Sequence, residues 1–216
     1  MPELLSAPVI VVAQRANRLV RALVEDAASP ATAADGTVLA KVRQEPPARP
    51  RGGRALFLAV SVIVSNPHTG RDPAFAVEDP DGSLLLRLVF SGGEVRVHDA
   101  TAAQVGVIVN EGVGGGPEIV LGVYGPSRSG SRWSSRDARG EPLAEGRAPY
   151  AQAPAYTFSD QTGTTVAQTA RVDEHRVRTE ILTQSLPLRT LLAGFACSLV
   201  VAEWIDRPRT STGGGG

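Results

Sequence analysis

The chain has 216 residues, of which 42% are hydrophobic, enough for one domain with a sizeable core. Its 22 basic and 22 acidic side chains leave no formal net charge, which argues against a general nucleic-acid binder. A single cysteine, Cys197, excludes an internal disulfide and a multi-cysteine metal site.

The opening MPELLSAPVIVVAQR puts Glu3 ahead of a short apolar run with no basic segment before it. That makes a poor secretory signal, so the expected location is cytoplasmic or peripheral to a membrane. Residues 9–13 (VIVVA) are mostly β-branched and suit a buried strand. Residues 27–34 are a loop by composition, and Asp35-Gly36 turns the chain into a strand at 37–43 (TVLAKVR). The prolines of QEPPARPRGG (44–53) rule out helix and central strand there. A long strand is expected at 55–64, closed by Asn66-Pro67.

A pattern then recurs. FAVEDPDGSLLLRL (75–88), WSSRDARGEPLAEG (133–146) and YTFSDQTGTTVAQTAR (156–171) each read strand, turn, strand. Their turns pair Asp79 with Gly82, Asp137 with Gly140, and Asp160 with Gly163. Aspartate suits the first turn position because its carboxylate accepts local N–H groups, and glycine the fourth because φ is positive there. A looser copy, VRVHDATAAQVGVI (95–108), has Asp99 but no glycine before Gly106. The glycine-rich EGVGGGP (111–117) leads into a strand at 118–124, and HRVRTEILT (175–183) alternates Val177, Thr179 and Ile181 against charged neighbours.

The chain then reads LPLRTLLAGFACSLVVAEWI (186–205), in which residues 191–202 carry no charge and only Ser198 is polar. On a helical period this run is apolar all round, so it must be surrounded. Spanning a bilayer takes about 20 apolar residues, and Arg189 and Glu203 bracket a shorter run. The expectation is an all-β chain with one central helix: a closed antiparallel barrel of about 12 strands around helix 187–205. Leu188, Leu191, Leu192, Phe195, Leu199, Val200 and Trp204 would face the strands. Residues 1–207 form one domain on this reading, and 208–216 a disordered tail.

Chemistry is sparse. The glycine loop lacks the Gly-Lys-Ser/Thr ending of a phosphate cradle and precedes strand. Cys197 lies in an apolar helix with nothing to activate it. His68, His98 and His175 have no ligand spacing and read as surface residues, and two acids per hairpin turn are too few for calcium. No catalytic constellation stands out, so no enzyme is expected. Two arginine groups remain. Arg43, Arg49, Arg51 and Arg54 flank the proline loop with only Glu45 opposing them. Arg128, Arg132, Arg136, Arg139 and Arg147 are offset by Asp137, Glu141 and Glu145. The first group is the better candidate for an anion, because arginine's fork suits phosphate oxygens.

The Asp-x-x-Gly hairpins followed by LPLRTLLAGFACSLVVAEWI resemble the tubby C-terminal-like superfamily, in its phospholipid scramblase and LURP-one-related branch. FAVEDPDGSLLLRL and YTFSDQTGTTVAQTAR are similar to that family's strand–turn–strand units, and RVDEHRVRTEIL with LAGFACSLVVAEWI to its closing strand and helix. The resemblance covers residues 8–205 and implies a barrel threaded by its C-terminal helix. It also implies a phospholipid partner at a membrane surface. No motif here matches the family's headgroup site residue by residue, and Arg43, Arg49, Arg51 and Arg54 are the headgroup candidates from their uncompensated charge, against the alternative of a solvated surface. Lipid scrambling and a protein-interaction scaffold are the alternatives. In the stretch matching the family's calcium segment, residues 173–184, only Asp173, Thr179 and Gln184 offer side-chain oxygens at alternate positions, while Val177 and Ile181 offer none. No cofactor is therefore expected, calcium included, and the chain is expected to be a monomer.

Overall fold

A computed structural model describes residues 2–13, 28–45, 74–91, 94–112, 119–120, 123–124, 132–147, 156–173 and 176–201. Within these, period-two burial recurs strand after strand. In β14 (Arg176–Ile181) Val177, Thr179 and Ile181 are buried while Arg176 and Arg178 are exposed. In β5 (Leu84–Ser91) the buried set is Leu86, Leu88 and Phe90. A strand with one apolar face needs partners that hide the same side. Twelve strands meet that need by closing on one another.

The others are β1 (Val9–Ala13), β2 (Ser29–Thr32), β3 (Val38–Gln44), β4 (Ala74–Glu78), β6 (Glu94–Asp99), β7 (Gln104–Gly112), β10 (Arg132–Asp137), β11 (Pro142–Arg147), β12 (Tyr156–Asp160) and β13 (Thr165–Arg171). The ring order is β1-β14-β13-β12-β11-β10-β7-β6-β5-β4-β3-β2, antiparallel throughout. Between β7 and β10, β8 (Ile119–Val120) and β9 (Val123–Tyr124) pair with each other, and among the described residues with no other strand.

One rim of the barrel is made of five tight turns, at residues 33–37, 79–83, 99–103, 137–141 and 160–164. In each, the first residue's N–H donates to the fifth's carbonyl at 2.8–2.9 Å, and the fourth's N–H to the first's carbonyl at 3.0–3.1 Å. Asp79, Asp99, Asp137 and Asp160 each accept the fifth residue's N–H on Oδ1, at 2.8–3.0 Å. The fourth residue has φ of 93° at Gly82, 86° at Gly140 and 84° at Gly163. Residues 99–103 make the same turn with Ala102 at φ 66°. Gly106, to which the sequence assigned that role, instead lies inside β7, where a Cβ would collide with the Arg136 carbonyl and with Leu191. The turn at 33–37 is a fifth copy with alanine in first place, Asp35 standing two residues later and accepting the Thr37 N–H at 2.9 Å.

The barrel's interior is its own C-terminal helix, α2 (Leu186–Ser198), continued by a 3₁₀ turn, Leu199–Val201. Residues 188–200 are all buried, and α2 touches β1, β5, β6, β7, β10 and β14 around the ring. Leu188, Leu191, Leu192, Phe195, Leu199 and Val200 all belong to one hydrophobic cluster with the inward strand residues. Phe195 sits edge-on to Trp133, Tyr156 and Phe158 at centroid distances of 5.6, 5.5 and 5.0 Å. Gly194 lets the helix approach β6, since a Cβ there would stand 3.0 Å from Val97 Cγ2.

Some expectations need correction. The helix starts at Leu186 and tightens at Leu199, because Leu199 donates back to Phe195 and its successors, so the expected 187–205 span is shorter as α-helix. Residues 29–32, assigned to a loop by composition, form β2, whose SPAT sequence carries no strand signal but buries Ser29 and Ala31. Val38 is 39% exposed and Leu39 is buried, because a bulge at Ala31/Thr32 shifts the register. The opening is not all strand: α1 (Glu3–Ser6) buries Leu4 completely. Arg189 is not a solvent-facing bracket. It is 6% exposed and donates to the carbonyls of Leu5, Ser6, Ala7 and Thr183 at 2.5–2.9 Å, tying α1 over the entry of α2. The expected strand at 55–64, Trp204 and the expected tail lie outside the described residues.

Candidate functional site

Alternation puts the charged residues of each strand on the outer face, and the antiparallel register decides which of them meet. Arg43 on β3 pairs with Glu78 on β4 at 3.2 Å. Glu45, expected to oppose the Arg43 group, is held by Arg87 of β5, whose Nε and Nη2 donate to it at 2.7–3.0 Å. Those hydrogen bonds and the carboxylate's charge push the Arg87 guanidinium above its ordinary value. Arg132 pairs with Glu145 across β10 and β11 at 2.6 Å, and Arg136 with Glu111 across β10 and β7 at 3.3 Å. Asp137, expected to offset that second group, is spent on its turn, accepting the N–H groups of Arg139 and Glu141. Among the described residues Arg139, Arg147 and Arg171 make no ion pair.

The hairpin aspartates are turn elements in this geometry. Hydrogen bonds from Thr162, the hydroxyl foremost, hold Asp160 below the usual carboxylate range, and Thr101 does the same for Asp99. The oxygens expected on Asp173, Thr179 and Gln184 do not converge. Asp173 pairs with Arg176 beyond one end of β14, Thr179 faces inward against Thr169 Oγ1, and Gln184 lies beyond the other end. His98 is half-buried, with Nδ1 3.4 Å from the Ala102 carbonyl. Cys197 is enclosed, and burial pushes its thiol up to about 12. Arg49, Arg51, Arg54, Arg128, His68 and His175 lie outside the described residues.

Register does place the connections. All five tight turns lie at one rim, with the entry of α2 and Arg189. The strand ends joined by residues 14–27, 46–73, 113–131 and 148–155 lie at the other. The barrel therefore has two unlike ends, one closed by short acidic hairpins and one joined by long connections. Within the five turns themselves stand Asp35, Asp79, Asp81, Asp99, Asp137, Glu141 and Asp160 with one basic residue, Arg139, while Lys41 donates to the Pro80 carbonyl and Arg189 lies at the same rim. The sequence reading passed over Arg176 and Arg178 of β14. Their signal was the alternation Arg-Val-Arg, which fixes both on the outer face once Val177 is buried.

Among the described residues no helix is long and apolar enough to cross a membrane, which says nothing of strands. No family model matches the chain, and no curated protein does. The fold overlaps an X-ray structure of an Arabidopsis thaliana protein at 12% identity and a TM-score of 0.46, over 87% of this chain and 90% of that one. An overlap that loose carries no argument about function.

Proposed function

We propose that the chain is a non-enzymatic tubby C-terminal-like module, of the scramblase and LURP-one-related branch, that binds anionic phospholipid at a membrane surface. The observation that carries this reading is the acidic character of the turn rim, which leaves the rest of the chain with a basic surplus. The five turns hold seven acidic side chains and one basic; with 22 of each in the chain, everything else has a surplus of six positive charges. The rim away from the turns joins β3 to β4 through residues that include Arg49, Arg51 and Arg54. A negatively charged plane repels the turn rim and attracts a molecule whose remaining surface is basic in sum, which biases its orientation before contact. Screening over about 8 Å at physiological salt confines the effect to close approach.

Co-sedimentation with vesicles tests the reading. Phosphatidylcholine containing phosphatidylserine pellets the protein, pure phosphatidylcholine does not, and replacing Arg49, Arg51 and Arg54 by serine abolishes the difference. Equal behaviour on both vesicles, or binding indifferent to the three replacements, removes it. One observation favours a second reading, a protein-binding scaffold: Leu182 and Leu186 are 48% and 52% exposed beside the acidic rim, and such a surface predicts a partner insensitive to lipid. Scrambling is the least supported, since it takes α2 out of a barrel that encloses it. Loss of a dye-labelled lipid to dithionite is expected to match protein-free vesicles.

A further inference from the structure

Among the described residues seven arginine–carboxylate pairs lie on the outer face, and they are of two kinds. Arg43–Glu78, Arg87–Glu45, Arg132–Glu145 and Arg136–Glu111 join segments far apart in sequence and so brace the sheet. Arg96–Glu94, Arg176–Asp173 and Arg178–Glu180 join residues two or three apart in sequence. The arginines of two of these local pairs, Arg176 and Arg178, line a groove of about 270 Å³ on the outside of β1, β2 and β14.

The groove combines two chemistries. Val11 of β1, Val172 and Ala33 give it apolar surface, Thr32 contributes a hydroxyl, and Arg176 and Arg178 contribute guanidinium groups. Val172 is 50% exposed, one of the most open large apolar side chains among the described residues. The arginines stand two residues apart on one strand face, which sets their Cβ atoms about 7 Å apart. Their cross-strand neighbours carry no charge: Arg178 lies between Val11 and Ala170, and Arg176 opposite Ala13. Among the described residues their ion-pair partners are Asp173 at 2.6 Å and Glu180, whose 3.6 Å is the longest of the seven pairs. An exposed pair of that kind contributes about 0–1 kcal/mol, so a ligand displaces it at small cost.

We propose that this groove binds a phosphate ester. Arg176 and Arg178 grip the phosphate oxygens from two directions, as planar forks do, while Val11 and Val172 lie against the adjoining carbon chain. A lipid headgroup and a free phosphomonoester share this chemistry. The lipid source rests on the membrane reading above; the groove itself does not, because it lies on the barrel wall and uses none of Arg49, Arg51 and Arg54.

The test has a soluble arm and a vesicle arm. Glycerol 3-phosphate is titrated into isotope-labelled protein with amide and arginine side-chain signals followed by NMR. Co-sedimentation compares phosphatidylcholine with and without phosphatidic acid. The double variant Arg176→Gln/Arg178→Gln is set against Arg87→Gln/Arg132→Gln, which removes equal charge from bracing pairs, with melting curves confirming that both remain folded. Saturable shifts at Val11, Thr32 and Arg178, weakened about tenfold or more in the first variant and little changed in the second, uphold the site. If those shifts appear without vesicle binding, the site stands as one for a soluble ester and the lipid source falls. Vesicle binding lost with Arg49, Arg51 and Arg54 but unchanged in Arg176→Gln/Arg178→Gln, with no groove shifts in the soluble arm, overturns the groove and leaves the membrane reading intact. Inorganic sulfate reproducing the same shifts at the same affinity also overturns it, since the carbon chain would then contribute nothing.

Discussion

Ala102 offers a sharp test of the turn rim, because the same backbone is built elsewhere with glycine. Its φ of 66° is a left-handed conformation, where the other four turns place Gly36, Gly82, Gly140 and Gly163 at 84–93°. An L-residue there costs about 1–2 kcal/mol through the clash of Cβ with the following carbonyl. Ala102 is exposed, so Ala102→Gly removes the clash without emptying any packed space. Against this, glycine loses about 0.5–1 kcal/mol more backbone freedom on folding. The net expectation is a gain of about 0.5–1 kcal/mol, or about 1–4 °C in melting midpoint for a chain of this size. Gly140→Ala runs the exchange backwards, and since a Cβ at Gly140 meets nothing within 4 Å, any loss there is a backbone effect alone. Thermal melts by circular dichroism measure both. A midpoint for Ala102→Gly equal to or below that of the parent refutes the reasoning.

Arg189→Met leaves the carbonyls of Leu5, Ser6, Ala7 and Thr183 without their donor; with about 1–3 kcal/mol for the one buried acceptor, Ala7, and less for the three part-buried ones, urea unfolding should show a loss of about 2 kcal/mol or more, and under 1 kcal/mol speaks against the clamp. Leu192→Asp or Phe195→Asp puts an unpaired carboxylate at a fully buried position and should abolish the cooperative melt, whereas a folded variant would place α2 elsewhere. Asp160, held low by Thr162, stabilises the fold above its ordinary value of 3.8, and that contribution is lost as pH falls through its lower folded value. Thr162→Val should raise the Asp160 midpoint in a carboxyl NMR titration; no rise means the hydroxyl is not the cause. Cys197, with its thiol at about 12, should resist Ellman's reagent at pH 8 in folded protein and react at once in guanidinium, and fast native reaction would contradict its enclosure.

The central helix was legible because a charge-free run leaves no face for water, an argument that needs no homologue. The hairpins were legible where aspartate and glycine occupy the two demanding positions, and illegible where chemistry and geometry part company. Ala102 takes a glycine's place, and Asp35 holds its turn from the third position. β2 was missed because Ser29–Thr32 is a strand by pairing with β1 and β3, not by propensity. Arg189 was misread because local spacing does not reveal that the carbonyls of residues 5–7 come to rest over it. The outer face was the least readable part. Glu45 lies near Arg43 in sequence, yet the register gives it to Arg87 and gives Glu78 to Arg43.

That the barrel's filling follows all twelve wall strands in the chain has a consequence for its birth. On a ribosome, every wall strand emerges before the segment that fills it, and the seam between β1 and β14 waits for residues about as late. Arg189 reaches back across 184 residues to Leu5. Contacts of that separation are slow to form and leave apolar surface open meanwhile. A nascent chain stalled before residue 186 is a hollow shell lined with leucine, valine and phenylalanine, and should need a chaperone until release. Truncation ahead of residue 186 is therefore expected to yield an aggregate and not a smaller folded version of this protein.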